Sequence, residues 1–317
     1  MTSKRLATTG NPEPSAAPGS LLQSWGLGEK QRFCLALVTP AAIILLLFQI
    51  VPIVIGANSS FRNWMLHAPT GEWIGLGHYI YVITDPVFLK IVLPNTFLFM
   101  LLTVTISLAA GLALAHLLNR SFLGRSVVQT VILLPLMIAP VVASMMFRWM
   151  FNDQFGIVSV VMGALGMGSF SWLAERWPSF AIIVLADVWL WTPWFTIILL
   201  AALRSLPKEP FEAAQIDAAS TWRVFTHITL PMLRPVMAIC IVVRSIDAFR
   251  TFDQFWVISG GGPARETEVF SIYAYTEAFL KMNFGRGTAA ALIGAVIVGI
   301  FSWFLYRMLY RFLEVSR

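Results

Sequence analysis

Apolar residues occur along this chain in long continuous runs, which are separated by shorter polar segments. Six of these runs are long enough to cross a bilayer core, which takes about 20 apolar residues in a helix. They cover residues 33–55, 96–118, 127–151, 180–203, 236–258 and 288–308. Because backbone polar groups must be satisfied internally in lipid, apolar runs of this length favour helices. The pattern therefore predicts an all-α polytopic membrane protein with about six transmembrane helices.

The overall composition supports a membrane protein. Of the 317 residues, 58% are hydrophobic and only 12% are charged, which is too apolar for a soluble domain. The net charge of +6 is therefore informative about topology, and we expect no nucleic-acid partner. Cys34 and Cys240 both lie in apolar runs, so they give neither a disulfide framework nor a metal-ligand spacing.

The N-terminal segment differs from the rest of the chain. Residues 1–30 are polar and rich in proline, glycine and serine, which is typical of a disordered tail. In this segment no charged start is followed at once by a short apolar core and a small-residue cleavage site, so we do not expect a signal peptide. We therefore predict a disordered tail over residues 1–30 and a transmembrane domain over residues 31–317.

Basic residues indicate how the spans are oriented. An even number of spans places both termini on one side, together with the segments that follow the second and fourth spans. The basic residues on that side are Lys4, Arg5, Lys30, Arg32, Arg120, Arg125, Arg204, Lys208, Arg223, Arg234, Arg307, Arg311 and Arg317. Since Lys and Arg are enriched in cytoplasmic loops, this bias predicts that both termini and residues 204–235 are cytoplasmic.

The segment 204–235 contains a polar, helix-forming insert between two apolar runs. Ala214, Ala218, Trp222 and Phe225 recur at three- and four-residue steps, which predicts one face of a helix. A proline in the first turn and acidic residues near the helix start, where the dipole favours negative charge, support this prediction. Spacing alone is equally compatible with an ordinary connecting helix that lies on the membrane.

A sequence motif favours a more specific interpretation of this insert. The order Glu-Ala-Ala at 212–214, Asp-Ala-Ala at 217–219 and Ile-Thr-Leu-Pro at 228–231 resembles the EAA loop of binding-protein-dependent ABC importer permeases. This resemblance implies the type I importer permease fold, with a coupling helix that docks into a groove of a cytoplasmic ATPase. The implied coupling residues are Glu212, Ala213, Ala214, Asp217 and Ala218. The family usually has glycine where this chain has Ala218.

The resemblance also implies partners and a location. Such permeases pair with a second related permease chain over an ATPase dimer, in the bacterial cytoplasmic (inner) membrane, and receive solute from an extracytoplasmic binding protein. The sequence contains no G-x-x-x-x-G-K-[ST] motif, so we expect ATP and Mg²⁺ to bind the partner ATPase and not this chain. We therefore expect a non-catalytic subunit without cofactor or metal.

Charged residues recur within the fifth apolar run. Arg244, Asp247, Arg250 and Asp253 follow each other at three-residue steps. Because charge inside a membrane is costly, these side chains should face partners or a water-filled cavity. Two interpretations stay open. The charges could form an ion-pair ladder that fixes helix packing, or they could lie on a face that lines a polar solute path.

A second resemblance concerns this run. The order Phe-Arg-Thr-Phe-Asp at 249–253 followed by Ser-Gly-Gly-Gly-Pro at 259–263 looks like the signature of sugar-type, maltose-transporter-like permeases, with Ser259 in place of threonine. It implies that Arg244, Ala248 and Thr251 face the solute, with Asp247 beside them. An arginine at such a position hints at an acidic or anionic glycoside.

Other polar and aromatic residues could serve the same path. Trp191 and Trp194 in the fourth run could stack on sugar rings, or they could simply fill a helix bundle. Asp187 could be a packing or partner carboxylate. Tyr273, Tyr275 and Glu277 are candidates to contact the solute-binding protein.

The sequence therefore predicts the membrane-spanning subunit of an ATP-driven importer of a sugar or glycoside. The alternative is an ion-coupled secondary transporter of a small polar solute, in which Asp187, Asp247 or Asp253 would be the coupling carboxylate. No convincing inverted repeat supports that alternative. An integral membrane enzyme would need a clustered catalytic set, and the sequence shows none.

Overall fold

The computed structural model describes residues 28–65, 71–166 and 171–314. The chain divides into two compact units, Met1–Ile55 and Gly56–Arg317. Almost all of the predicted tail over residues 1–30 lies outside the described residues. In the first unit, the described structure consists mainly of the start of helix α1, which extends from Glu29 to Ser60.

The described residues fold into helices, and the β-structure among them is limited to two isolated bridges. After α1, the helices are α2 (Gly77–Thr84), α3 (Leu93–Asn119), α4 (Arg125–Leu133), α5 (Pro140–Met150), α6 (Ile157–Ala164), α7 (Arg176–Ser205), α8 (Glu209–Ile216), α9 (Thr221–Val224), α10 (Leu230–Phe249), α11 (Asp253–Ile258), α12 (Phe270–Tyr275) and α13 (Phe284–Glu314). The described residues also contain three π-helical turns: Phe88–Val92 before α3, Phe225–Thr229 between α9 and α10, and Thr276–Leu280 after α12.

Five helical stretches in the described residues are long and apolar enough to cross a membrane. They are Phe33–Ser60, Phe88–Asn119, Arg176–Ser205, Thr221–Phe249 and Phe284–Met308. A bent pair, Arg125–Met137 and Pro140–Met150, gives a sixth if it is counted as one span. The prediction of an all-α protein with about six transmembrane helices is confirmed.

Two of the predicted spans differ from the structure in shape. The span predicted as residues 127–151 is bent by 98°, because Ile138 and Ala139 are extended before Pro140, which opens α5 without a backbone donor. The span predicted as residues 236–258 instead ends at Phe249, and α11 follows as a separate short helix. Its start lies further upstream, because the π-helical turn Phe225–Thr229 joins α9 directly to α10.

The core of the second unit lies where α3 and α7 pack side by side. At one end, Arg176 Nη2 at the start of α7 donates to Asn95 Oδ1 of α3 over 3.1 Å. At the other end, the last turns of both helices line one cavity, so the two helices run parallel. Phe99 and Phe195 are fully buried between them, and α10 and α11 complete this core.

Gly111 of α3 lies in close contact with Phe195 of α7. A Cβ atom there would lie 2.5 Å from the Cβ of Phe195, so Gly111→Ala is expected to lower stability by about 1–3 kcal/mol through overpacking. Gly299→Ala in α13 is the matched control, because no atom lies within 4 Å of its added Cβ. We expect a lower thermal unfolding midpoint in detergent for Gly111→Ala alone, and equal midpoints would contradict the close approach.

Candidate functional site

Helix α8 carries the residues predicted to couple to an ATPase. Pro210 occupies its first turn, where the missing N–H is not needed, and Glu209 and Glu212 lie near its positive end. The helix ends because Ala218 adopts a positive φ of 51°. The amide of Ala219 then donates to the carbonyl of Ala214 over 3.0 Å, which closes the helix as a left-handed cap.

This ending corrects the prediction of one helical face that runs from Ala214 through Ala218 to Trp222 and Phe225. The chain leaves the helix at Ala218, and a new short helix, α9, starts at Thr221. Ser220 caps it by accepting a hydrogen bond from the amide of Arg223 over 3.4 Å. A left-handed alanine costs about 1–2 kcal/mol, which explains why glycine suits this position.

The two faces of α8 have different surroundings. Ala214 is buried against the rest of the chain, whereas Glu212, Ala213, Asp217 and Ala218 are exposed. Two large apolar side chains beside them are also exposed, Ile216 at 86% and Trp222 at 73%. The sequence analysis did not single out Ile216, although an isoleucine next to an acidic residue in a polar helix is an available signal.

A cavity of about 530 Å³ lies beside α8. It is bounded by the last turns of α3 and α7, by α8 itself and by α9, and its lining includes His116, Arg204, Lys208 and Phe225. The ring of His116 meets the ring of Phe225 edge-on, with centroids 5.6 Å apart. Helix α8 is therefore separated from the ends of the long helices by open space along part of its length.

Arg244 is the centre of a buried ionic cluster. Its side chain is 1% exposed and is bound by two carboxylates, Asp187 of α7 and Asp247 of its own helix α10. The bond from Nη1 to Asp247 Oδ2 measures 2.7 Å, and Nη2 donates to Asp187 Oδ2. Trp191 covers the guanidinium, with its ring centroid 4.5 Å from Cζ, which is a cation–π distance. We call these four residues the Arg244 cluster.

Two residues extend the Arg244 cluster. Gln254 of α11 donates through Nε2 to Asp187 Oδ1 over 3.2 Å, so the fully buried carboxylate ties α7 to both α10 and α11. On the opposite side, Arg250 donates to Asp247 Oδ1 over 3.3 Å and is largely exposed. With these two residues, the polar contacts run from the buried carboxylate of Asp187 to the solvent-facing guanidinium of Arg250.

The structure brings together some of the predicted solute-facing residues and not others. Trp191 and Asp247 join Arg244, and the hydroxyl of Thr251 donates to the backbone oxygen of Asp247 over 3.4 Å. Ala248 is buried in the hydrophobic core, and the ring of Trp194 packs edge-on against the ring of Phe195, with centroids 5.1 Å apart. The role of these residues toward solute stays a prediction.

For Asp187 the sequence left several roles open, those of a packing, partner or coupling carboxylate, and it identified no cation for it. A single carboxylate inside an apolar run requires a cationic partner, and this is a usable sequence signal. What the sequence does not supply is the choice of partner, since Arg244 lies 57 positions away.

A second polar network lies at the end of α3 and α7 that is opposite α8. Asn95 Nδ2 donates to the backbone oxygens of Glu266 and Glu268 over 2.7 and 3.1 Å. The hydroxyl of Tyr273 donates to Asp85 Oδ2 over 2.8 Å, and burial together with this bond raises the pKa of Tyr273. These bonds fix the segment between α11 and α12 against α3, and they fix α12 against the residue that follows α2.

Glu277 lies in the same region. It is fully buried and paired with Lys281 and Arg286. Because Tyr273 and Glu277 have no exposed surface, they are not available to contact a solute-binding protein, which corrects that prediction. Of the three candidates, Tyr275 alone is partly exposed.

Most of this chain matches a known protein family. The family described as binding-protein-dependent transport system inner membrane component matches residues 107–315. The trehalose/maltose transport system permease protein of Thermococcus litoralis is 32% identical over 265 residues, which are 83% of this chain and 88% of that protein. The diacetylchitobiose uptake system permease protein of Streptomyces coelicolor is 34% identical over 85% of this chain and 84% of its own.

A solved structure agrees at the level of the fold. It is a chain of a bacterial ABC transporter involved in the import of the acidic polysaccharide alginate, and it superposes with a TM-score of 0.81. The match covers 91% of this chain and 99% of that chain at 23% identity. The fold predicted from the EAA-like motif, that of an ABC importer permease, is confirmed. With the family match over residues 107–315, this chain belongs to the binding-protein-dependent transport system inner membrane components, the permease subunits of ABC importers.

Proposed function

We propose that this chain pairs with a second, related permease to form the translocation path of an ATP-driven importer for a sugar or glycoside. The observation that carries the proposal is α8. It is an exposed, acid-led helix between two membrane-spanning helices, with small residues and an exposed Ile216 on its free face. A surface of this kind suits a groove in a partner protein, and in this family the partner is an ATPase dimer.

The connection from α8 to the membrane supports coupling. Helix α9, the π-helical turn Phe225–Thr229 and α10 follow each other without a break in helical backbone. Displacement of α8 by a closing ATPase dimer would therefore act on α10, which holds Arg244 and Asp247. Energy from ATP bound to the partner would in this way reach the part of the membrane domain that faces the solute.

The solute class rests on the relatives and on the chemistry of the Arg244 cluster. Both relatives named above are permeases of systems for disaccharides. The aromatic face of Trp191, the carboxylate of Asp247 and the hydroxyl of Thr251 are groups that bind sugars, through stacking and through hydrogen bonds to hydroxyls. Both termini and α8 would face the cytoplasm, and a solute-binding protein would deliver solute from the other side.

The test is purification of the tagged chain from its own cells, followed by reconstitution into vesicles with the chains that accompany it. We expect an ATPase and a second permease to co-purify, and uptake of neutral disaccharides to require ATP and the added solute-binding protein. The control is the same vesicles loaded with a non-hydrolysable ATP analogue. Uptake that follows a proton or sodium gradient without ATP would contradict the proposal and favour a secondary transporter.

A further inference from the structure

The charge of Arg244 is already neutralised inside the protein. Its guanidinium is bound by Asp187 and Asp247, and Asp247 also binds Arg250, so the four charges of this chain of ion pairs cancel. Arg244 and Asp187 are both buried, while Asp247 is 30% exposed. The exposed part of the cluster is therefore a carboxylate beside a solvated arginine, and not the buried guanidinium.

An anion that bound Arg244 would have to compete with its ion pair to Asp187. An anionic solute that bound Arg244 in place of Asp187 would leave the buried Asp187 carboxylate without a cation, with neutral partners such as the Gln254 amide in its place. An unpaired charge in such a site is strongly unfavourable, because its hydration is lost and nothing replaces it. Trp191 also covers the guanidinium, so a solute carboxylate has no free approach on that side.

We infer that Asp187 determines the charge selectivity of the solute path: by holding Arg244, it makes the path favour uncharged, hydroxyl-rich solutes over monoanionic ones. This inference rests on the proposed function and gives its solute class. It departs from the expectation drawn from the sequence, in which Arg244 hinted at an anionic glycoside. What the cluster presents to solute is the face of Trp191 and the acceptor oxygens of Asp247, whose charge the exposed Arg250 balances, and these groups match a sugar ring and sugar hydroxyls.

The test is direct binding to the purified transporter without its solute-binding protein, so that the selectivity of that protein does not enter. The probes are trehalose, maltose and cellobiose, each beside its 6-carboxylate derivative, measured by equilibrium dialysis. For the wild type we expect at least tenfold tighter binding of the neutral sugar of one pair. Asp187→Asn should shift the ratio of the two affinities, neutral sugar to carboxylate, at least tenfold toward the carboxylate, because one of the two anions that bind Arg244 is removed.

Further variants separate charge selectivity from folding. Asp187→Asn combined with Arg244→Gln should restore the neutral preference. Asp153→Asn is the control, because the Asp153 carboxylate accepts a hydrogen bond from the amide of Trp172 and lies outside the cluster, and it should leave the wild-type ratio. If Asp187→Asn does not assemble, Asp247→Asn removes the more exposed anion from the same guanidinium and should shift the ratio in the same direction.

The outcomes are distinguishable. A wild type that prefers the carboxylate, or a ratio unmoved by both aspartate variants, would overturn the role of Asp187 and leave the importer function intact. Binding of neither sugar class by the wild type would overturn the sugar specificity in the proposed function, and the inference with it. Loss of the ATP requirement in vesicles is a separate result that bears on the importer function alone.

Discussion

Ile216→Asp is expected to reduce ATP-dependent solute uptake at least tenfold, while the variant inserts into the membrane in normal amount. Ile216 is 86% exposed at the end of α8, so its replacement changes no packing within this chain. If α8 docks into a groove of the ATPase, the Ile216 side chain is buried in that interface. Ile216→Asp then removes an apolar contact and buries a carboxylate in its place. Central interface residues of this kind contribute about 2 kcal/mol or more, and each 1.4 kcal/mol is about a tenfold change in affinity.

The measurements are co-purification of the ATPase and uptake in vesicles, with membrane insertion recorded in parallel. Ile157→Asp is the matched control, because Ile157 is a 58%-exposed isoleucine on another short helix, α6. We expect this control to retain the ATPase and Ile216→Asp to lose it. Retention of the ATPase by both variants would show that α8 is not the docking element.

The features that the sequence predicted are those encoded by contiguous residues. In lipid, an apolar run of about 20 residues satisfies its backbone polar groups by forming a helix. The spans could therefore be found without tertiary information. The same holds for α8, whose start is defined by Pro210 and acidic residues within one turn. Both resemblances also depended on short ordered motifs.

The features that the sequence missed depend on contacts between distant residues. Hydropathy does not record the direction in which a helix leaves a proline, so the 98° bend before Pro140 was hidden in one apolar run. The predicted helical face was interrupted at Ala218, whose left-handed backbone ends α8, and an alanine does not signal that conformation in the way a glycine would. The partner of Asp187 is decided by the parallel packing of α3 and α7 and the position of α10 beside them, which no local pattern specifies.

Arg244→Met is expected to destabilise the protein by about 3–5 kcal/mol, the range found when one partner of a buried ion pair is removed. The substitution leaves Asp187 fully buried without a cation, whereas the more exposed Asp247 keeps Arg250 as its cationic partner. Methionine fills much of the arginine volume, so loss of packing is a small part of the effect. The measurement is the thermal unfolding midpoint of the purified chain in detergent.

The double variant Asp187→Asn with Arg244→Met decides whether charge is the cause. It leaves no buried charge at this point, and the asparagine side chain keeps a carbonyl oxygen for the hydrogen bond from Gln254. Because replacing a whole buried ion pair by neutral groups is often nearly neutral, we expect the double variant to recover most of the lost stability. If the double variant were as unstable as Arg244→Met, the ring of Trp191 and the packing around the guanidinium would be the main contribution of Arg244, and the ion pairs would contribute little to holding α7 and α10 together.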